Sequence, residues 1–584
     1  MKHTKTSHIP YIKSIPEILK YQLITKLILA VMLVLTRFVG LSLLESTGRV
    51  AVSSGDFGFL FITWQGWVMV FMFLLIFFFY VAVDLNVKVI YSGNIVTGRP
   101  QSMRAVFTEG VLSIGRFCSI SGLNVILYIT LIAPIVGVGF SVGLTEGLKI
   151  PNFITAVIKA SLIYNVLYTL VVLVFALIGV LYIFTLHGVL LDKMKVRSAQ
   201  RQSLRIIKNN AVSYVWQNIL IVLSVILPLM LLAAVLLYFP LTAVQSSVAS
   251  PWVRRFLLIF IILFCGSVYS VISMLAAPFV VIKVTRMYYK YTNPDKILPQ
   301  PPEKGRGLPK WLYIAVPAVC VLLASVCASG FDDLFPSEVT TEIIAHRGGG
   351  NEGPENTVAG LKTAIELGAA GSEIDIQRTK DGYYVVNHDN GFGRVAGVKA
   401  NVNDLTLEQI RELTVLDSGE PIPTLEEMLT AARDKITLFV ELKGATADTQ
   451  MCDDAVKLVR DMGMADQVVF ISLKYNLIDY LETSYPDMLT GYLTFLSYGS
   501  TAKLNCDYIG LEEESAAADA INSVHNQGKK VMVWTVNDKE SQEHFLSTAA
   551  DAIITDNIIQ ANETVISLKN RNDLERIASV IRQI

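Results

Sequence analysis

Along the first 330 residues the apolar positions run on without a polar face, whereas from residue 337 they break into short stretches that alternate with amphipathic ones. A helix needs roughly 20 apolar residues to cross the hydrocarbon of a bilayer. Seven runs satisfy that length: 24–44, 64–84, 119–143, 161–186, 217–240, 256–282 and 311–329. The sixth is long and interrupted by Gly266, so it is where a miscounted crossing would hide. The rest of the chain predicts nine short strands: EIIAH, SEIDI, YYVVNH, TLFVELK, QVVFIS, LTGYL, CDYIGL, KVMVWTV and DAIITD. Helical periodicity falls between them, as in ENTVAGLKTAIELGA, PTLEEMLTAARD, DDAVKLVRDMG and KESQEHFLSTA. Such alternation predicts a parallel sheet with crossover helices, and about eight repeats suit a closed (β/α)8 barrel, so that one of the nine is either misread or accessory. An open doubly wound sheet is the alternative, but no Gly-rich dinucleotide turn supports it. The predicted architecture is an α-helical polytopic membrane domain over residues 1–336 and a TIM-barrel domain over residues 337–584.

Composition agrees with a membrane part, at 52% hydrophobic residues and a mean hydropathy of +0.49. With 49 basic and 50 acidic side chains, nothing in the total charge points to nucleic acid. The placement of charge is more informative. The N-terminal flank and the connections 83–118, 187–216 and 283–310 hold 22 Lys and Arg, against 5 in the alternate connections 45–63, 144–160 and 241–255. That bias places the N-terminus in the cytoplasm, and seven crossings then put the barrel domain outside. The first 26 residues are basic and run into a span without a small-residue cleavage site, so they are expected as a cytoplasmic flank rather than a leader. Asn293–Lys310 is expected as a Pro-rich basic linker before the last span. The six cysteines form no framework. Cys452 and Cys506, the pair in the soluble half, are expected as free thiols rather than a disulfide.

In a barrel of this kind the residues at strand C-termini face the active site. Those positions hold His346, Arg347, Glu373, Asp375, His388, Asp389, Glu441, Lys443, Ser472, Trp534 and Asn537. Glu373 and Asp375 are two apart on a strand and share a face. With Glu441 they make three carboxylates whose repulsion a hard divalent cation would relieve, Ca²⁺ ahead of Mg²⁺ and both ahead of Zn²⁺. His346 and His388 suit a general acid and base. Arg347 offers a planar fork for phosphate oxygens and Lys443 a point charge. The set points to phosphoryl transfer; a glycosidase would leave Arg347 and the paired histidines unexplained. Gly348–Gly350 are expected to let the backbone approach a phosphate closely, and Pro354 and Glu355 to open the next helix, with Glu355 at its positive end.

HRG with PENT, then EIDIQRTKDG, NHD, ELK and WTVN occur in this order, and together they resemble the glycerophosphodiester phosphodiesterase family over about residues 341–560. The multi-span half resembles, in its arrangement, the membrane domain of one bacterial branch. The resemblance implies a (β/α)8 barrel that hydrolyses glycerophosphodiesters to glycerol 3-phosphate and an alcohol with a divalent cation. It assigns His346 and His388 to acid/base work, and Glu373, Asp375 and Glu441 to the metal. It gives Arg347 and Lys443 to phosphate, Glu355 to orienting Arg347 or the metal shell, and Trp534 to the border of the glycerol site. It further implies a two-step reaction through a cyclic phosphate. The chain departs from the family's pattern by inserting GGNEG between HRG and PENT, which is expected to alter the rim of the site and not the chemistry. Three other readings stay open: a phospholipase-type enzyme, a phosphodiesterase for glycerol phosphate wall polymer, and a lipid-binding membrane protein with a non-catalytic barrel. The alcohol moiety and the oligomeric state are not legible.

Overall fold

The computed structural model describes residues 15–49, 51–53, 58–99, 101–128, 158, 161–221, 223, 227–297, 310–416, 418–495 and 497–581. The chain divides into two compact units: Met1–Gly40 with Val68–Gly330, and Leu41–Trp67 with Phe331–Ile584.

Among the described residues four helices are long and apolar enough to cross a membrane: Pro16–Glu45, Leu162–Leu190, Pro251–Thr292 and Leu312–Ser329. Their side chains face outward. Phe38, Leu162 and Ile314 expose 72%, 80% and 75% of their surface, which suits a hydrocarbon solvent and not water. The predicted runs 24–44, 161–186, 256–282 and 311–329 fall within or largely within these helices, and 64–84 falls within Trp64–Thr97. The other two lie partly outside the described residues. Run 119–143 includes Ile120–Leu127, and run 217–240 passes through Leu227–Ala233 and a π-helical turn at Ala234–Tyr238. Much of the N-terminal flank and of the linker Asn293–Lys310 is also outside them.

Gly266 does not interrupt the sixth run, because Pro251–Thr292 is one helix of 42 residues. At 1.5 Å per residue it is about 63 Å long, roughly twice the hydrocarbon thickness. Its last turns therefore need a protein partner. Val284, Met287 and Tyr288 find one in Phe184, Ile206 and Tyr214, with which they form a buried cluster.

The second unit holds the strands β1 (Ala51–Ser53), β2 (Glu342–Ala345), β3 (Gly371–Arg378), β4 (Tyr384–Val386), β5 (Thr437–Leu442), β6 (Val468–Ser472), β7 (Leu489–Thr494), β8 (Ser497–Gly499), β9 (Tyr508–Glu512), β10 (Lys530–Trp534) and β11 (Ala552–Thr555). Eight of them pair in parallel in the order β2-β3-β5-β6-β7-β9-β10-β11, and β11 pairs with β2 to close the ring. The chain thus forms the closed (β/α)8 barrel expected from its alternation. The ninth predicted strand, YYVVNH, is the accessory one. It is β4, which pairs antiparallel with β3, Ile376 opposite Val386. The five residues between β3 and β4 permit only a hairpin, since a parallel return takes a dozen or more.

Period-two alternation sorts the strand side chains into two cores. Ile344, Phe439, Val469, Ile471, Met532 and Ile554 fill the barrel interior. The opposite faces, among them Ile374, Val440 and Phe470, pack on helix residues such as Leu361, Leu429 and Val456. Cys452 and Cys506 are free and buried there. Burial pushes both thiols up to about 12, so almost no thiolate exists near neutral pH. Maleimide treatment of the folded protein at pH 8 should leave both unmodified in peptide mass spectra, and denaturation should make both react. Labelling of either one in the folded protein at the rate of a free thiol would contradict this packing.

Candidate active site

Glu373, Asp375 and Gln377 share the inward face of β3 because they are two residues apart, and Glu441 holds the same face of β5 as the register partner of Asp375. Phe439 is the register partner of Glu373, and the next inward position on each of the two strands, Asp375 and Glu441, is a carboxylate. Glu373, Asp375 and Glu441 are buried and each offers an oxygen within 4.8 Å of the others. Burial, added to by neighbouring carboxylates, pushes Glu373 and Glu441 well above the ordinary carboxylate range. Burial would raise Asp375 too, but the charges of Lys443 and His388 and the hydrogen bond from Asn356 hold it low. Lys443 Nζ lies 2.9 Å from Asp375 Oδ1 and 3.0 Å from Glu441 Oε2. The Arg347 amide donates to Glu373 Oε2 at 2.9 Å, while Glu373 Oε1 is buried without a hydrogen-bond partner. One ammonium does not neutralise three carboxylates. An oxygen-only donor set with an unpartnered buried oxygen fits a hard divalent cation.

His346 follows β2. Its Nδ1 lies 2.6 Å from Asp556 Oδ1 and its Nε2 3.8 Å from Glu373 Oε2. Burial alone would lower its pKa, but the hydrogen bond and charge of Asp556, with the charge of Glu373, raise it above the ordinary value. His388 arrives differently from the expectation, two residues beyond β4, the accessory strand folded back on β3, and not at the end of a barrel strand. Gln377 Nε2 holds the hairpin by donating to the carbonyls of Asn387 and Asp389 at 2.7 and 2.5 Å. His388 Nδ1 lies 2.8 Å from Asp389 Oδ1, and burial, aided by the charges of Lys443 and Arg347, lowers its pKa.

Glu355 does not open a helix. The helix starts at Val358, capped by Thr357, whose Oγ1 accepts from the Gly360 amide. Two guanidinium groups hold Glu355 instead: Arg347 at 3.1 Å and Arg394 at 2.6 and 2.7 Å. Arg394 also donates to Asp389 at 2.8 Å. A chain of charges thus runs from His388 through Asp389, Arg394 and Glu355 to Arg347. Arg347 Nε remains buried without a partner. The glycines serve packing more than ligand approach. Gly348 has φ +91°, and a Cβ on Gly349 would come within 2.5 Å of the Gly360 carbonyl oxygen.

Trp534 ends β10, in register with Glu512 of β9, and its Nε1 is buried without a partner. Ser472 turns away, its Oγ donating to the Leu442 carbonyl and accepting from the Lys474 amide. Three residues escape the sequence reading. Asp556 stands one residue beyond β11, where the strand-end rule applies equally. Asn356 orients Asp375 through a 2.9 Å hydrogen bond. Arg394 sits in a non-periodic loop that carries no signal.

Residues 346–560 match the glycerophosphoryl diester phosphodiesterase family, and residues 10–327 match the membrane domain of glycerophosphoryl diester phosphodiesterase. The glycerophosphodiester phosphodiesterase of Caldanaerobacter subterraneus subsp. tengcongensis is 32% identical over 240 residues, 39% of this chain and 97% of that protein. Glycerophosphodiester phosphodiesterase 1 of Mus musculus is 27% identical over 260 residues, 37% of this chain and 78% of that protein. Among solved structures, a glycerophosphodiester phosphodiesterase from Parabacteroides distasonis is 26% identical, with a TM-score of 0.35, over 39% of this chain and 98% of its own. An Oleispira antarctica phosphodiesterase in complex with the product sn-glycerol-3-phosphate is 23% identical, with a TM-score of 0.37, over 39% and 97%.

The segment GGNEG, Gly349–Gly353, ties the first loop to the last. The Asn351 amide donates to the Asp556 carbonyl at 2.6 Å. Both Glu352 oxygens accept from the Ile558 and Ile559 amides, at 3.2 and 3.1 Å, at the start of the helix Ile558–Lys569. A carboxylate on a helix N-terminus contributes about 1 kcal/mol. Glu352→Ala should therefore lower the melting temperature of the barrel by roughly 2–4 °C, and an unchanged thermal transition would contradict this capping role.

Proposed function

Since this chain belongs to the glycerophosphodiester phosphodiesterase family and carries that family's membrane domain, we propose that it hydrolyses glycerophosphodiesters to glycerol 3-phosphate and an alcohol at its barrel mouth. The observation that carries this reading is the meeting of Glu373, Asp375 and Glu441, three buried carboxylates, with Lys443 and the His346 imidazole.

Glu373, Asp375 and Glu441 would hold a divalent cation, Ca²⁺ ahead of Mg²⁺. When bound, the cation supplies positive charge for phosphate oxygens at the site. Arg347, with its unpartnered Nε, and Lys443 offer further positive charge to the phosphate, and Glu355 keeps the Arg347 fork in place. Trp534 would border the glycerol. One histidine takes the proton of the glycerol 2-hydroxyl, whose oxygen forms a bond to phosphorus. The bond from phosphorus to the alcohol breaks, and the other histidine gives the leaving oxygen its proton. The cyclic phosphate that results is opened by water, which loses a proton to a histidine while the ring oxygen regains one. Asp556 and Asp389 hold the two rings through Nδ1, leaving each Nε2 for this work.

The excess of Lys and Arg in alternate connections supports a cytoplasmic N-terminus and an extracytoplasmic barrel. The membrane domain and barrel are taken as residues 1–336 and 337–584.

His346→Ala and His388→Ala should each lower kcat/KM by about 10² to 10⁴, read as glycerol 3-phosphate released from glycerophosphocholine by the solubilised full chain. Unchanged turnover in either variant would sink its acid/base role. A panel of glycerophosphocholine, an intact phospholipid and poly(glycerol phosphate) should show cleavage of the first. Cleavage of the phospholipid alone or of the polymer alone would transfer the activity to that substrate, and cleavage of none would favour a lipid-binding role.

A further inference from the structure

The connection between the first two apolar runs carries an element that neither the barrel nor anchoring explains. Residues 41–67 belong to the same compact unit as the barrel. Within them β1 pairs antiparallel with β8, Ala51 opposite Gly499, Val52 opposite Tyr498 and Ser53 opposite Ser497. Val52 is 1% exposed, and Ala51 packs against the larger barrel core. β8 belongs to the connection from β7 to β9, which leaves the ring at Thr494, the C-terminal end of a barrel strand. That is the end at which His346 follows β2 and Trp534 closes β10. The next residue, Phe495, accepts a hydrogen bond through its carbonyl from Ser515 Oγ, just beyond β9. A segment that stands between two apolar helices thus adds a strand to the rim of the mouth, the pairing by which an edge strand captures extended chain.

We infer that residues 51–53 are a working part of the barrel unit, a strand lent to the β8 edge that walls the barrel mouth and selects substrates by size. The inference rests on the phosphodiesterase reading for its substrate, not for its geometry. Two consequences follow from the pairing. A strand does not pair through a bilayer, whose core leaves no open sheet edge, so residues 51–53 and the barrel share one aqueous compartment. That requires an even number of crossings between Ser53 and Glu342, and six of the seven predicted runs lie there. The parity is independent of the Lys and Arg count and agrees with it. The second consequence concerns the reaction. The wall stands on the β7–β9 side of the mouth, beside the β9 and β10 ends that carry Glu512 and Trp534, and away from the β3 and β5 carboxylates. Its loss should change which diesters enter and leave the chemistry intact.

The test uses the full chain. Ala51→Cys with Gly499→Cys should give, on mild oxidation, a disulfide-linked peptide by mass spectrometry. Ala51→Cys with Ser497→Cys, out of register, should give far less. Equal yields, or none from the first pair, would overturn the pairing whether or not the protein is a phosphodiesterase. For the functional half, Val52→Pro removes an amide donor and a buried side chain from β1. It should shift the ratio of kcat/KM between glycerophosphoethanolamine and a glycerol phosphate oligomer by about tenfold, within the range a binding wall can supply. The oxidised Ala51→Cys, Gly499→Cys protein should keep the wild-type ratio, which guards against misfolding of the proline variant. An unchanged ratio in Val52→Pro, or an altered one in the cross-linked protein, would overturn the selecting role.

Discussion

Three carboxylates forced into one buried space is the constraint around which the barrel mouth is organised. Glu373, Asp375 and Glu441 lie on two adjacent strands, Asp375 opposite Glu441, with an oxygen of each within 4.8 Å of the others. Each charge there is costly to bury, and the cost grows with each neighbour of the same sign. Lys443 offsets part of it through two hydrogen bonds. The Arg347 amide and Asn356 hold single oxygens in place. What remains is negative charge aimed at a point, which in an oxygen-only site is the setting for a hard cation.

The loops follow from the same constraint. Arg347 must bring its amide to Glu373, and the backbone there takes φ +51° to do so. Its side chain then turns to Glu355, which Arg394 shares, and Arg394 reaches Asp389 and so the ring of His388. On the other side of the mouth Asp556 steadies His346 and is itself gripped by Asn537 through hydrogen bonds of 2.6 and 2.8 Å. Both histidines are therefore fixed at one nitrogen by a carboxylate that has its own partner. That arrangement, more than any single residue, is what supports the proton-transfer role proposed for the two rings.

Much of this was legible in the sequence where the information is local. Glu373 and Asp375 are two apart on one strand, and Glu441 and Lys443 repeat the spacing on another, so period two alone puts them on one face. His346 and Trp534 could be placed by the rule that strand ends face the mouth. The residues that escaped depend on distant partners. Asp556 meets His346 across 210 positions, and only the closure of β11 on β2 brings them together. YYVVNH reads as a strand whichever way it runs; the five residues before it decide that it is a hairpin. Glu355 was expected at a helix terminus because composition marks helix starts, but two arginines compete for it more strongly. β1 is three residues long and gives no periodic signal at all. Gly266 looked like a break because glycine weakens helices, yet the apolar surroundings of Pro251–Thr292 keep that helix continuous.

The cation is the claim on which the rest turns, and binding tests it apart from turnover. Titration calorimetry of Ca²⁺ and of Mg²⁺ into the metal-stripped full chain should give one site per chain. Asp375→Asn and Glu441→Gln should each weaken it by at least about tenfold, the cost of roughly 1.4 kcal/mol of lost coordination. A wild-type protein that binds neither ion, or variants that bind as tightly as the wild type, would contradict the account.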